Sequence, residues 1–369
     1  MHLPSASSRF DCRLVQCPAT LRRRRMNDGG APLKIRVNPS SKFGQFPSGT
    51  GTVACSAFVR AGERACQETI LRRCLSWSFL RLLRCGITLA VLLGMQLQAD
   101  EPNNINDLKS DLSVPAVTEE KGIAGKRFLM TLPEYQGGSL AHVVYLPSDW
   151  KPGNKYPVIV EYPGNGGYEN AYGDRSTGRV EDCKLGYGIS GGTGFIWVCL
   201  PFVDLKTKSH SLLWWGDPDA TAAYCRAAVA QVCNEYGGDP ESLVLTGFSR
   251  GALACGYIGL RDDQTAKLWR AIIAHSHFDG VRLWDYAESD QESARRRLLR
   301  YGARPLYVTQ ERSVDAIQTY LRGTDSQATV RVLPYPNHTD EWVLKDVKER
   351  QELRLWLSRV LSQSVVSGK

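Results

Sequence analysis

The stretch LVLTGFSRGALACGYIGL, Leu243 to Leu260, limits the folds open to this chain more than any other. Leu243 to Leu245 form an apolar run of strand type, and Ala252 to Leu260 are the small and apolar residues of a buried helix. Gly247-Phe248-Ser249-Arg250-Gly251 is then the turn joining them, with a glycine two residues before the serine and another two residues after it. A strand that feeds a helix across so short a turn needs a sharp corner, and glycines on both sides remove the Cβ atoms that would crowd it. The serine hydroxyl is left standing clear of the sheet edge, ahead of a helix N-terminus.

The rest of the chain beyond residue 126 alternates strands with helices. Phe128 to Leu132 and Ala141 to Leu146 are expected to be an antiparallel entry pair, with Gly137-Gly138 in the turn. Pro157 to Val160 and Phe195 to Leu200 are continuous apolar strands, the first running into Pro163-Gly164-Asn165-Gly166-Gly167. Asp217 to Tyr236 is alanine-rich with a helical period and stops at Gly237-Gly238. RAIIAHSHFDG, RPLYVTQERSVDA and ATVRVLPYPNHTDEW supply three more strands with helices between them, and a closing helix is expected from Asp340 to about Val360. Apolar strands alternating with helices imply an α/β domain with a mostly parallel central sheet covered by helices on both faces.

The net charge of +8 does not belong to that domain. Residues 1–100 carry 15 Lys and Arg against 5 Asp and Glu, a net of +10, while residues 101–369 carry 31 against 33, a net of −2. With no basic face and no RNA- or DNA-binding motif, nucleic acid is discarded as a partner. Residues 1–70 mix Arg, Ser, Pro, Gly and Cys without a period and are expected to be disordered or to be a misassigned N-terminal extension. Residues 71–99 change character: arginines precede the apolar run Ile87 to Leu93, and Ala99 supplies a small residue before Asp100. That order is a signal peptide and implies a secreted or periplasmic protein. The apolar run is short of the roughly 20 residues of a membrane span, so a membrane partner follows only if the segment stays uncleaved. Residues 100–125 are expected to be a linker and residues 126–365 the catalytic domain. Five of the eleven cysteines lie beyond residue 99, which permits at most two disulfides, and their spacing matches no zinc site.

The corner, with its strand before and helix after, resembles the G-x-S-x-G nucleophile elbow of the α/β-hydrolase superfamily. YGGDPESLVLTGFSRGA, Tyr236 to Ala252, resembles more narrowly the secreted polyhydroxybutyrate-depolymerase-like and feruloyl-esterase-like serine esterases. The resemblance implies an α/β-hydrolase fold and a Ser-His-acid triad. Ser249 is the nucleophile, and His338 in LPYPNHTDEW is the general base, following the last strand and preceding the last helix. His275 and His277 are rivals better suited to packing or lining. For the acid, Glu311 follows the strand before the histidine strand and fits best. Asp315 falls in a helix first turn, where the dipole already explains it, and Asp279 follows one strand earlier. The oxyanion hole is expected from the Arg250 N–H together with Gly164 or Asn165. Trp214 and Trp215 are candidates for stacking on a substrate ring, with core packing the alternative, and Arg295-Arg296-Arg297 is expected to be a solvated helix face.

The function that follows is cleavage of carboxylic esters, small-molecule or polymer-linked, through an acyl-enzyme, with no cofactor and no metal. Only Gly280 to Arg304 separates the histidine-rich strand from the acid strand, so no large lid is expected over the cleft. A prolyl-oligopeptidase-type peptidase would usually carry a propeller, for which residues 101–125 leave no room. A non-catalytic envelope binding protein on the same fold would be expected to lose Ser249, His338 or the elbow.

Overall fold

The computed structural model describes residues 104–363; the expected N-terminal extension and signal peptide lie outside them. Among the described residues thirteen strands form, β1 (Val117–Thr118), β2 (Arg127–Met130), β3 (His142–Tyr145), β4 (Tyr156–Tyr162), β5 (Tyr168–Glu169), β6 (Arg175–Ser176), β7 (Ile196–Cys199), β8 (Val203–Asp204), β9 (Ser209–His210), β10 (Gly238–Phe248), β11 (Trp269–His275), β12 (Pro305–Glu311) and β13 (Gln327–Leu333). The helices are α1 (Leu185–Ser190), α2 (Pro218–Tyr236), α3 (Arg250–Tyr257), α4 (Asp263–Ala266), α5 (Gln291–Tyr301), α6 (Asp315–Leu321) and α7 (Lys348–Ser362). Nine strands make one sheet in the order β1-β2-β3-β7-β4-β10-β11-β12-β13. Strand β3 is antiparallel to β2 and to β7, and every pairing from β7 through β13 is parallel. This strand order, with its single reversed strand near one end, is the α/β-hydrolase fold.

The sheet is buried on both faces because its strands are apolar at successive positions. Val158, Val160, Leu243, Leu245 and Ile272 point into one cluster with α2, α3, α5 and α6. Ile159, Val244, Ala271 and Ile273 point the other way, into a second cluster with α1 and α7. Helix α2 starts where Asp217 accepts from the Ala220 N–H with Pro218 behind it, and it ends at Gly237 in the left-handed region, φ 79°. The five described cysteines are buried thiols.

Three expectations are corrected. Residues 104–118 are not a free linker: Ile105 is 1% exposed and its N–H donates to Asn337 Oδ1 at 2.8 Å. Asp111 takes the Arg350 fork through two 2.7 Å bonds, and Val117–Thr118 adds a parallel strand to β2. The closing helix starts later than expected, at Lys348, after a short 3₁₀ turn at Glu341–Leu344. Arg297 does not share the solvated face of its neighbours: its side chain is 4% exposed and bonds Asp279 Oδ2 through Nε at 3.0 Å and Nη2 at 2.9 Å.

Tyr286 donates to the other Asp279 oxygen at 3.0 Å, so this buried pair is fully hydrogen-bonded on the carboxylate side. Removing one partner of such a pair strands the other charge out of water. Asp279→Ala should therefore lower unfolding stability by about 3–5 kcal/mol in urea titration, and Asp279→Leu with Arg297→Met should regain most of that loss. A loss below about 1 kcal/mol for the single variant would contradict this account of the pair.

Candidate active site

The corner after β10 is a strained one. Ser249 has φ 54° and ψ −118°, a conformation that side-chain-bearing residues rarely adopt. It is held by the flow of the chain: the Ser249 N–H donates to His275 O at 2.9 Å, and its own carbonyl accepts from Ala252 and Leu253 in the first turn of α3. The flanking glycines are required by contact. A Cβ at Gly247 would stand 2.2 Å from Gly251 O, and one at Gly251 would stand 2.1 Å from Tyr162 O. Ser249 occupies the N-cap of α3 yet makes no capping bond with its side chain. Its hydroxyl is committed elsewhere.

Ser249 Oγ lies 2.9 Å from His338 Nε2, and His338 Nδ1 lies 3.0 Å from Glu311 Oε1. A carboxylate accepts only, so Nδ1–H donates to Glu311 and Nε2 is left to accept from the serine hydroxyl. The three groups come from the C-terminal ends of β10 and β12 and from the loop after β13, 89 residues separating serine from histidine. Glu311 also accepts from the Ser276 hydroxyl and, at 3.2 Å, from Gln310 Nε2. Burial acts to raise its pKa, but the His338 bond, the charges of His275 and His338 and the Ser276 bond outweigh it and hold the carboxyl at about 2. Of the three candidate acids, Glu311 alone meets His338. Asp279 is occupied by Arg297 and Tyr286, and Asp315 stands at the start of α6 with Ser313.

The histidine loop is held by residues that the sequence does not single out. Asp174, 2% exposed, accepts from the His338 N–H at 2.9 Å, from Asn337 Nδ2 and Asn170 Nδ2 at 2.8 Å, and from Asn106 Nδ2 at 2.9 Å. Tyr168 sets its ring edge-on to His338 with centroids 5.0 Å apart. Asp174 is 164 residues from His338, and no local pattern joins them. Of the rival histidines, His275 is fully buried and pinned between Thr309 Oγ1 at 2.9 Å and Thr339 O at 2.8 Å. His277 packs at 5.3 Å from His338 and 5.1 Å from Trp284, and burial drives its pKa to about 4, which leaves it neutral.

The glycine loop after β4 lies against the strand that carries the serine: a Cβ at Gly164 would stand 3.0 Å from Phe248 O. Gly166 gives its N–H to Leu212 O at 2.8 Å and Asn165 gives Nδ2 to Trp214 O at 2.6 Å. Arg250 opens α3, where a helix leaves its first N–H groups without intrahelical partners. Trp215 is 3% exposed and packed on Phe202, Tyr257 and Tyr286, so the substrate-stacking role expected for it is corrected to core packing. Trp214 is half-buried, with the Arg250 guanidinium 4.0 Å from its ring centroid. A cavity of 1020 Å³ is lined by Gly164 and Phe248 but by neither Ser249 nor His338. The described residues nearest to a metal-ligand arrangement are Glu161, Cys183 and Cys199, within 4.8 Å of one another. Glu161 is already engaged there, accepting from Gly186 N and Trp197 Nε1 at 2.8 Å and from Lys184 N and Leu185 N at 3.2 Å.

No family model and no curated protein matches the chain. Among solved structures it is similar to a thermostable esterase, at 17% identity and TM-score 0.41, covering 63% of this chain and 62% of that one. It is also similar to an S-formylglutathione hydrolase from Agrobacterium tumefaciens, at 14% identity and TM-score 0.43, covering 63% and 93%. A dipeptidyl aminopeptidase IV from Bacteroides ovatus matches at 13% identity and TM-score 0.45, over 63% of this chain and 35% of that one. The chain thus spans less than two thirds of two of these three proteins. The fold assignment rests on the strand order given above.

The Glu311 carboxyl couples the site to stability. Its folded pKa of about 2 lies below the unfolded value of 4.5, so its contribution is fully present above pH 4.5 and is lost as pH falls toward 2. By linkage the contribution is about 3 kcal/mol. Urea titrations of the wild type should lose that much more stability over this interval than those of Glu311→Gln; parallel curves would contradict it.

Proposed function

We propose that the protein is a serine hydrolase that cleaves carboxylic esters through an acyl-enzyme. The observation that carries this reading is the unbroken series of hydrogen bonds from Ser249 Oγ through His338 to Glu311, starting from a serine in a strained backbone conformation. Ser249 Oγ attacks the ester carbonyl while His338 Nε2 takes its proton. Glu311 stabilises the imidazolium and fixes its tautomer without taking a proton itself. The tetrahedral oxyanion is received by the Arg250 N–H and by an N–H of Gly164 or Asn165, each donor contributing on the order of 3 kcal/mol to the transition state. Collapse expels the alcohol, protonated by His338, and leaves Ser249 acylated. Water then attacks the acyl carbon as His338 takes its proton, and collapse breaks the bond to Ser249 Oγ, which regains that proton from His338 as the acid leaves. The short segment between β11 and β12, which leaves no room for a large lid, supports soluble or polymer-linked esters over long lipid chains. Export to the periplasm or beyond is part of the same proposal and rests on the sequence of residues 71–99.

The test is labelling of the protein by a fluorophosphonate, which reacts with activated serines. Wild type should label, Ser249→Ala and His338→Ala should not, and Glu311→Gln should label more slowly, toward the roughly 10⁴-fold seen when a triad acid is neutralised. Labelling that survives in Ser249→Ala would contradict the assignment of the nucleophile.

A further inference from the structure

Arginines in this domain commonly face a carboxylate, as Arg226 faces Asp262, Arg261 faces Asp219, Arg297 faces Asp279 and Arg350 faces Asp111. Arg250 and Arg282, over the rings of Trp214 and Trp284, do not: neither makes an ion pair or a side-chain hydrogen bond among the described residues. Arg250 follows the nucleophile directly. Its guanidinium lies over the Trp214 ring, 4.0 Å from the centroid, and against Gly166, where a Cβ would stand 1.7 Å from Nη1. Nη1 is buried without a partner, and desolvation lowers the pKa of the group with no acidic side chain to offset it. A guanidinium edge withdrawn from water next to a nucleophile, and left unanswered by the protein, is costly unless a ligand answers it.

The surroundings close into a ring. Trp214 meets Trp284 with centroids 6.0 Å apart, Trp284 meets His277 at 5.1 Å, His277 meets His338 at 5.3 Å, and His338 returns to Ser249 through the 2.9 Å bond. Trp284 Nε1 is a second buried donor without a partner, and the Arg282 guanidinium covers the Trp284 ring at 4.4 Å. His277 is neutral, so the positive charge of this ring comes from the two arginines. It stands in a domain whose sequence, residues 101–369, has a net charge of −2. The planar fork of a guanidinium matches an oxyanion through two parallel bonds.

We propose that the ring of Arg250, Trp214, Trp284 and Arg282 binds an anionic group of the substrate, so that the preferred esters carry a second carboxylate, as a dicarboxylic acid half-ester does. The inference rests on the serine-hydrolase reading for the position of the scissile bond, and on the two arginines for the anion. The aromatic faces hold the guanidinium planes in place and cover the carbon chain between the two groups.

The full-length protein would be assayed by methanol release from monomethyl adipate and dimethyl adipate, which differ in one charge at equal chain length. The expected result is a kcat/KM about 10–100-fold higher for the half-ester, the worth of one charge-assisted pair, carried mainly in KM. Arg250→Gln should bring the ratio of the two substrates near unity, and the exposed Arg282→Gln should narrow it. Equal or better use of the diester by the wild type, or a ratio unmoved by both variants, would overturn the proposal. Calorimetry of adipate and of inorganic phosphate with Ser249→Ala separates the sources of the anion: adipate binding that phosphate does not displace supports the carboxylate. Phosphate binding in preference to adipate, or binding of neither, overturns it. If neither ester is cleaved and no fluorophosphonate labels the protein, the hydrolase reading fails, and the same calorimetry still decides the anion site.

Discussion

The left-handed backbone of Ser249 is the constraint from which the rest of the site follows. A residue at φ 54° between β10 and α3 lets the chain reverse from strand to helix within one position, and it turns the hydroxyl out of the sheet edge toward His338. Strain of this kind costs about 1–3 kcal/mol and persists only where the surroundings over-determine it. Here they do. Gly247 and Gly251 admit backbone carbonyls at distances no Cβ would tolerate, β10 is buried between β4 and β11, and the Ser249 N–H is tied to His275 O. A rigid parallel sheet holds the corner, and the loops that follow its strands supply the partners.

Those partners are held less by sequence neighbourhood than by long-range polar contacts. Asp174 joins the loop before β6, the segment around Asn106 and the loop that carries His338 through four accepted hydrogen bonds. Glu311 accepts from His338 and Ser276 and lies in the field of His275, which is why its carboxyl stays ionised despite its burial. The imidazole is thus fixed from its backbone, from its Nδ1 and from the ring of Tyr168 on one side. Preorganisation of this sort lowers the reorganisation needed when charge develops.

Much of this was legible from residue order. The continuous apolar strands and the helical period of Asp217 to Tyr236 reflect burial of both sheet faces, which pattern reports directly, and the glycines around Ser249 mark a corner that only a few folds need. The acid was harder, because Glu311, Asp315 and Asp279 all follow strands; register and the reach of one side chain decide among them, and neither is written in spacing. Residues 100–125 read as a linker ahead of the domain, yet Asp111 and Asn106 find partners 239 and 68 residues away, which no local pattern reports. Arg297 looked solvated beside Arg295 and Arg296, although a 100° step per residue turns it inward toward Asp279. Trp214 and Trp215 are neighbours in sequence with different fates, one against the Arg250 guanidinium and one in the core.

The central claim is that the Ser249 oxygen becomes covalently acylated during turnover. It is tested most directly by acid-quenching the full-length protein while it hydrolyses 4-nitrophenyl butyrate and mapping the butyryl group by peptide mass spectrometry. The account predicts a single adduct on the peptide containing Ser249. Steady hydrolysis with no adduct, or an adduct on any other residue, would contradict it.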